Sequence, residues 1–388
     1  MKIITLCIFF GLLLVNSNAT SSSLTKGNIQ ATEKSEQQRL AEFDQWIDSL
    51  YVEKEISGSF LYARNGKVLY SKAVGKLHPH KNTPITIDSS FNLASVSKQF
   101  TAFGIMLLKY QGKLKYDDNV QNILKEFPYP DITVRQLLNH TSGLIDYEKL
   151  SDIYWDKQAF TNQDMLNLFS IHKPKLDFAP NTKFEYSNTG YVILAAIIER
   201  LSNQSLEDYS YQNIFQPLNM SNTRVFTILS KQTEFPSRVF GQDKGELLDL
   251  YKIEGVTGDG SVYSTVGDLL KWHRALLNNT LLPESEKQEA FRHSSLVDGS
   301  TYNYNFGWIV DSKSPHKMTH DGSWVGFRTF LTRNDKDDEI LVFLTNNLYG
   351  VQFQELLKRF FSSVDADIVY ATGDFTLCGK NSTSSKCN

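Results

Sequence analysis

The chain has 388 residues, 41% hydrophobic and 12% aromatic, with a net charge of -3. That is ample apolar material for one large domain or two small ones. The near-neutral charge argues against nucleic acid or an anionic membrane surface as partner.

Met1-Lys2 opens a short positive region, Ile3 to Val15 is an apolar run, and Ser17-Asn18-Ala19 is a small-residue cleavage pattern. Residues 1–19 therefore read as a secretory signal peptide, too short to span a bilayer comfortably. The expectation is a secreted or periplasmic protein with no stable membrane span after cleavage. Residues 20–35 are polar and Ser/Thr-rich, a flexible leader. Glu36 to Tyr51 follows as an amphipathic helix with Leu40, Phe43, Trp46, Ile47 and Leu50 on one face. Ser59 to Ala63 and Lys67 to Val74 flank Asn65-Gly66, a hairpin signal because both turn positions want positive φ.

From Ser95 to about Leu277 the pattern is mostly helical with long loops. Phe100, Phe103, Met106, Leu107 and Tyr110 recur at helical spacing, with Gly112 as the stop. Val192 to Leu201 and Ser264 to Leu277 are further helices, the latter capped by Ser264 or Thr265. Strands return at Asn305 to Val310, Lys317 to His320, Phe327 to Thr332 and Glu339 to Thr345, and Phe353 to Phe361 is a closing helix. The predicted class is α/β (α+β): an antiparallel sheet built from both chain ends and flanked by helices, with a mostly helical region inserted. One domain over residues 36–362 is expected. Residues 363–388 are a C-terminal tail, polar and loose from Gly373 to Asn388, in which a disulfide between Cys378 and Cys387 would staple a small loop outside the core. With those two thiols and no clustered histidines, no metal site has visible ligands.

Ser95 and Lys98 lie three apart at the start of a helical pattern, so their side chains share a face. A serine hydroxyl needs a base to become a nucleophile, and a lysine serves only if burial or nearby cations lower its pKa. Ser-x-x-Lys also occurs at Ser23/Lys26, Ser170/Lys173 and Ser314/Lys317, in the leader or beside prolines where no helix begins cleanly. Downstream, Tyr186-Ser187-Asn188 precedes an apolar helix, and His320-Asp321-Gly322 ends a late strand.

With these three motifs in order, the chain resembles the penicillin-recognising serine hydrolases: class C β-lactamases, D-Ala-D-Ala carboxypeptidases, D-aminopeptidases and related esterases. LLNHTSGL at 137–144 and GDGSVYSTVGDL at 258–269 are similar to family loops. Asn181 and Asn219 stand where relatives have glycine, which leaves the shape of the turn at Asn181 open. Tyr211-Gln212-Asn213, a second Tyr-x-Asn, lacks the family context and reads as surface.

The resemblance implies the β-lactamase-like fold and a set of roles. Ser95 would attack a carbonyl and become acylated, and Lys98 would take its proton or supply the electrostatics. Tyr186 would be the second acid/base. Asn188 would bind the substrate amide and Lys98. The backbone N–H groups of Ser95 and Ser323 would form the oxyanion hole. His320, with Gly322 and Ser323, would lie along the substrate strand. Histidine there replaces the lysine of most β-lactamases, favouring a neutral hydrogen-bonding role and tilting away from a true β-lactamase. Alternation places the Asp321 side chain on the face opposite His320.

The expected activity is that of an exported serine hydrolase acting through an acyl-enzyme on a peptide, amide or ester, D-amino-acid peptides favoured. An esterase, a β-lactamase and a catalytically idle muropeptide-binding scaffold are the alternatives. The expected partner is a small-molecule or peptide substrate, with cell-wall peptide as one candidate, and no cofactor or metal is implied. Sequons stand at Asn139, Asn203, Asn219, Asn278 and Asn381. A glycan on Asn139, near the expected cleft, would be awkward and points to an unglycosylated bacterial protein.

Overall fold

Strands from the two ends of the chain meet in one seven-stranded sheet. We label its strands β1 (Gly58–Arg64), β2 (Lys67–Val74), β3 (Tyr304–Asn305), β4 (Trp308–Val310), β5 (Lys317–Trp324), β6 (Phe327–Asn334) and β7 (Glu339–Thr345). Their order is β3-β4-β5-β6-β7-β1-β2, antiparallel at every step. The computed structural model describes residues 34–365 except 158, 232–233, 250–252, 293 and 348–352, together with 369–371 and 377–379. The signal peptide, most of the leader, Cys387 and the sequon at Asn381 lie outside the described residues. The chain from Glu36 onward forms one unit by its internal contacts.

Each face of the sheet buries its own layer. Phe60, Tyr62, Phe330, Leu341 and Phe343 pack with Leu40, Phe43, Ile47 and Leu50 of helix α1 (Glu36–Val52) and with Leu356, Leu357 and Phe360 of the closing helix Phe353–Ser363. Alternate residues such as Leu61, Ala63, Leu331, Val342 and Leu344 face the larger helical layer. Fully burying one such side chain contributes roughly 1.5–3 kcal/mol. Period-two alternation thus divides each strand between two cores. The helical layer is centred on α2 (Lys98–Tyr110) and α3 (Asn188–Ser202), with α4 (Val266–Leu277) beside them. The predicted turns are present: Asn65 and Gly66 have φ of 50° and 73°, and Gly112 has φ 73°. Thr265 caps α4, its side chain accepting from the Asp268 N–H.

Two local expectations are corrected. Asn305 to Val310 is not one strand. Asn305 pairs with Trp308 across a two-residue turn in which Phe306 and Gly307 have φ of 47° and 84°. That turn type normally selects Asn-Gly, so the apolar Phe306 concealed it. A Cβ on Gly307 would lie 2.8 Å from the Lys98 carbonyl oxygen, so the hairpin tip rests on the start of α2. The tail is not uniformly loose either: Leu377–Gly379 pairs with Val369–Ala371, bringing Cys378 opposite Tyr370.

Candidate active site

The site begins at a backbone kink. Ala94 has φ +47°, a region that L residues other than Asn and Asp seldom adopt. Its N–H donates to Asn92 Oδ1 at 2.8 Å, which helps hold the kink. A single 3-10 turn, Ala94–Ser97, then leads into α2. Ser95 lies in that first turn, where backbone N–H groups have no intrahelical acceptor and remain available to a ligand.

Lys98 is fully buried. Its Nζ donates to Ser95 Oγ at 3.2 Å, to Asn188 Oδ1 at 2.9 Å and to the Asp259 carbonyl at 2.8 Å. Those three acceptors match the three protons of an ammonium. Burial lowers the Lys98 pKa to about 8, against the attraction of Asp259, Asp146, Glu148 and Asp321. Asn188 opens α3, where Ser187 caps the helix through the Gly190 N–H. The Asp259 loop is tied to α2 by Thr101 Oγ1, which donates to the Gly258 carbonyl at 2.7 Å.

Tyr186 stands just before α3, with Lys98 Nζ 5.0 Å from its ring centroid. Burial pushes its phenol well above the ordinary value, while a hydrogen bond with Ser95 works in the opposite direction. The phenol therefore keeps its proton at neutral pH. Behind it sits His140, a residue that sequence reasoning passed over although it lies in the family-like loop at 137–144. The His140 ring lies 4.3 Å from both Tyr186 and Tyr304, and its Nδ1 accepts the Ser187 N–H at 3.1 Å. Burial and the Lys98 charge keep it neutral. The loop resemblance was the one available signal, and it carried no hint of the stacking.

His320 lies on β5 and is 1% exposed. Its Nδ1 donates to the Asp321 carbonyl at 2.6 Å, and its Nε2 accepts from the Tyr304 hydroxyl at 2.9 Å. Burial, then the Lys98 charge, lowers its pKa to about 3. The ring is neutral with both nitrogens engaged, so it stands behind the cleft, holding Tyr304 in place. Gly322 is where β5 passes the nucleophile, and a Cβ there would meet Leu93 O at 2.5 Å and Ser95 N at 2.9 Å. Asp321 pairs with Phe330, whose ring belongs to the core layer on the far side of the sheet, as alternation requires. Ser323 and Trp324 line a cavity of about 60 Å³ together with Ser95, Asn188, Glu148, Glu254 and Asp259.

The other Ser-x-x-Lys pairs are placed differently. Lys173 ends the helix Asn162–His172 in a left-handed conformation, and Lys317 N–H bonds the Ser314 carbonyl in a turn. Ser23/Lys26 lies outside the described residues. Tyr211 is exposed on a π-helical turn, Tyr211–Phe215. Asn181 and Asn219 have φ of 62° and 54°. Asparagine tolerates that region better than most residues, so both turns keep the shape glycine would give. Asn139 is buried, and its amide donates to Ser294 Oγ and Tyr302 Oη at 3.1 and 3.2 Å, leaving no room for a glycan.

The Beta-lactamase family model matches residues 43–360. The chain belongs to the β-lactamase family. This β-lactamase-family chain is 33% identical over 334 residues to penicillin-binding protein 4* of Bacillus subtilis, covering 81% of this chain and 73% of that one. Among solved structures it resembles a D-amino acid amidase from Ochrobactrum anthropi at 25% identity and TM-score 0.67, covering 84% of this chain and 98% of that one. A penicillin-binding protein from Bacillus halodurans superposes with TM-score 0.70 at 24% identity, over 82% and 99% of the two chains. The β-lactamase-like fold expected from the three motifs is the fold observed, and the family is one of serine hydrolases. Among the described residues, no helix is long and apolar enough to cross a membrane.

Proposed function

We propose that the protein is an exported serine hydrolase that cleaves a peptide, amide or ester through an acyl-enzyme, with D-amino-acid peptides and amides favoured. The observation that carries this reading is the buried Lys98 Nζ, 3.2 Å from Ser95 Oγ, with its pKa brought down to about 8. A lysine so placed is neutral in enough molecules near neutral pH to take the Ser95 proton. Ser95 Oγ then bonds the substrate carbonyl carbon. The developing oxyanion is met by the N–H groups of Ser95 and Ser323, and Asn188 fixes the substrate amide beside Lys98. The Tyr186 phenol gives its proton to the leaving group as the scissile bond breaks. The phenolate then takes a proton from a water whose oxygen bonds the acyl carbon, and the bond from that carbon to Ser95 Oγ breaks as Lys98 returns its proton to Oγ. Gly322 lets the substrate strand approach, and His320 holds Tyr304 from behind.

The preference for D-aminoacyl substrates draws on the similarity to an enzyme named D-amino acid amidase. Reading β-lactams as poor substrates draws on His320, whose neutral ring supplies no fixed cation for the lactam carboxylate. The test is a hydrolysis panel of p-nitrophenyl esters, D-Ala-D-Ala peptides, D-aminoacyl amides and nitrocefin, run beside fluorophosphonate labelling and tryptic mass spectrometry. Label on Ser95 with turnover of D-aminoacyl amides is expected. Label confined to another serine, or turnover that survives in Ser95→Ala, would sink the reading.

A further inference from the structure

The cavity beside Ser95 is acidic. Glu148, Glu254 and Asp259 line it, and it holds about 60 Å³, room for a small polar head and little more. Glu254 is 4% exposed, and one oxygen accepts the Trp324 indole N–H while the other has no hydrogen-bond partner among the described residues. Arg238, a cation that attracts it, is already ion-paired with Asp249. Glu148 accepts no hydrogen bond at its carboxylate from any described residue. Asp259 is bound by the Tyr147 hydroxyl at 3.1 Å, and Lys98 has its three protons committed elsewhere. A buried carboxylate normally has its charge compensated, and here the compensation is incomplete.

We propose that Glu148 and Glu254, backed by Asp259, form an anionic subsite that takes a small primary ammonium group of the substrate, close to the carbonyl that Ser95 attacks. The subsite deepens the hydrolase reading above and rests on it. Burial, then repulsion from neighbouring carboxylates (Asp146 and Asp259 for Glu148, Asp259 and Asp249 for Glu254), raises the carboxyl pKa of each glutamate to about 7. An ammonium entering the cavity relieves that repulsion, because each carboxylate gains a charge-assisted hydrogen bond. A carboxylate entering the same place meets like charge, so the subsite selects for amines and against acids. The α-ammonium of an aminoacyl amide or peptide has the right charge and size.

The test compares kcat/KM for D-alanyl p-nitroanilide with that for D-lactoyl p-nitroanilide, which puts a neutral hydroxyl where the ammonium was. It is run at about pH 7, where the α-ammonium is largely protonated. Wild type should favour the alanyl substrate by about tenfold or more, the scale of a charge-assisted hydrogen bond. Glu148→Gln and Glu254→Gln should each lower that ratio, chiefly through KM for the alanyl substrate, and the double variant should bring it near one. A wild-type ratio near one overturns the subsite, as does a ratio unchanged in both single variants. The wild-type comparison stands even if a variant fails to fold. Turnover of p-nitrophenyl acetate with a ratio near one removes the subsite and leaves the hydrolase. No turnover of any substrate and no fluorophosphonate on Ser95 removes both.

Discussion

Gly322 and Ser95 come so close that a Cβ on the glycine would lie 2.9 Å from the Ser95 backbone nitrogen and 2.5 Å from Leu93 O. The N–H of Ser95 is one of the two donors assigned to the developing oxyanion. Gly322→Ala should therefore push β5 away from the nucleophile and spoil the spacing of the two donors. We expect kcat/KM to fall about 100-fold or more, the usual consequence of losing one such donor. The overpacking should cost about 1–3 kcal/mol of stability, which a thermal melt would register as a modest drop in Tm. Kinetics within about threefold of wild type would show that the strand relaxes without moving the donors.

The Lys98 pKa of about 8 sets the sign of the pH profile. Only the neutral amine can take the Ser95 proton, so kcat/KM should climb as pH rises through about 8 and then level off. Lys98→Ala should lose about 10²–10⁴ of the rate, and Lys98→Arg should not restore it, because a guanidinium keeps its proton. A rate that declines between about pH 6 and 9 in wild type would place the base elsewhere.

Tyr186→Phe separates leaving-group protonation from nucleophile activation. The phenylalanine ring can still pack against His140, but the hydroxyl is gone. Amides expel a poor leaving group and need the proton, whereas p-nitrophenolate leaves unaided. The loss should be about 10²-fold or more on a D-aminoacyl amide and clearly smaller on a p-nitrophenyl ester. Equal losses on both would mean that the hydroxyl serves the attack on the carbonyl.

Buried neutral histidines tie stability to pH. The His320 pKa is lowered to about 3, that of His273 to about 2, and His140 lies well below its ordinary value, all mainly by burial. In the unfolded chain each returns to about 6.5, so between the two values the unfolded state binds more protons. Stability is thus full above about 6.5 and falls as pH drops towards 3. Urea midpoints at about pH 7.5 and 5 should show this, and His320→Gln should reduce the difference. Because Gln can still bond the Tyr304 hydroxyl, its own cost should be modest, about 1 kcal/mol. An imidazole of His320 titrating near 6.5 by NMR would contradict its burial.

The motifs and most elements were legible in the sequence because they are local. Helical spacing after Phe100, the Asn65-Gly66 turn and the alternation in Phe327 to Thr332 depend on neighbours a few residues away. Ser95 and Lys98 could be paired on paper since three residues make one helical turn. The hairpin at Phe306-Gly307 escaped, because an apolar side chain stood where turn chemistry calls for Asn. His140 escaped because nothing in its own loop tells of Tyr186 and Tyr304 on either side of it.

What the sequence determined by itself, then, is the element pattern and the identity and order of the reactive residues. Tertiary structure alone decided their electrical state. Lys98 has a depressed pKa because segments around positions 188 and 259 close over it, and His320 is neutral because Tyr304 and the sheet exclude water from its ring. Glu148 lies in the first turn of a short helix, Tyr147–Tyr154, and Glu254 and Asp259 lie on irregular chain more than a hundred residues later, yet the three meet at one cavity. Charge and desolvation act through space, over distances that the spacing of residues along the chain does not encode.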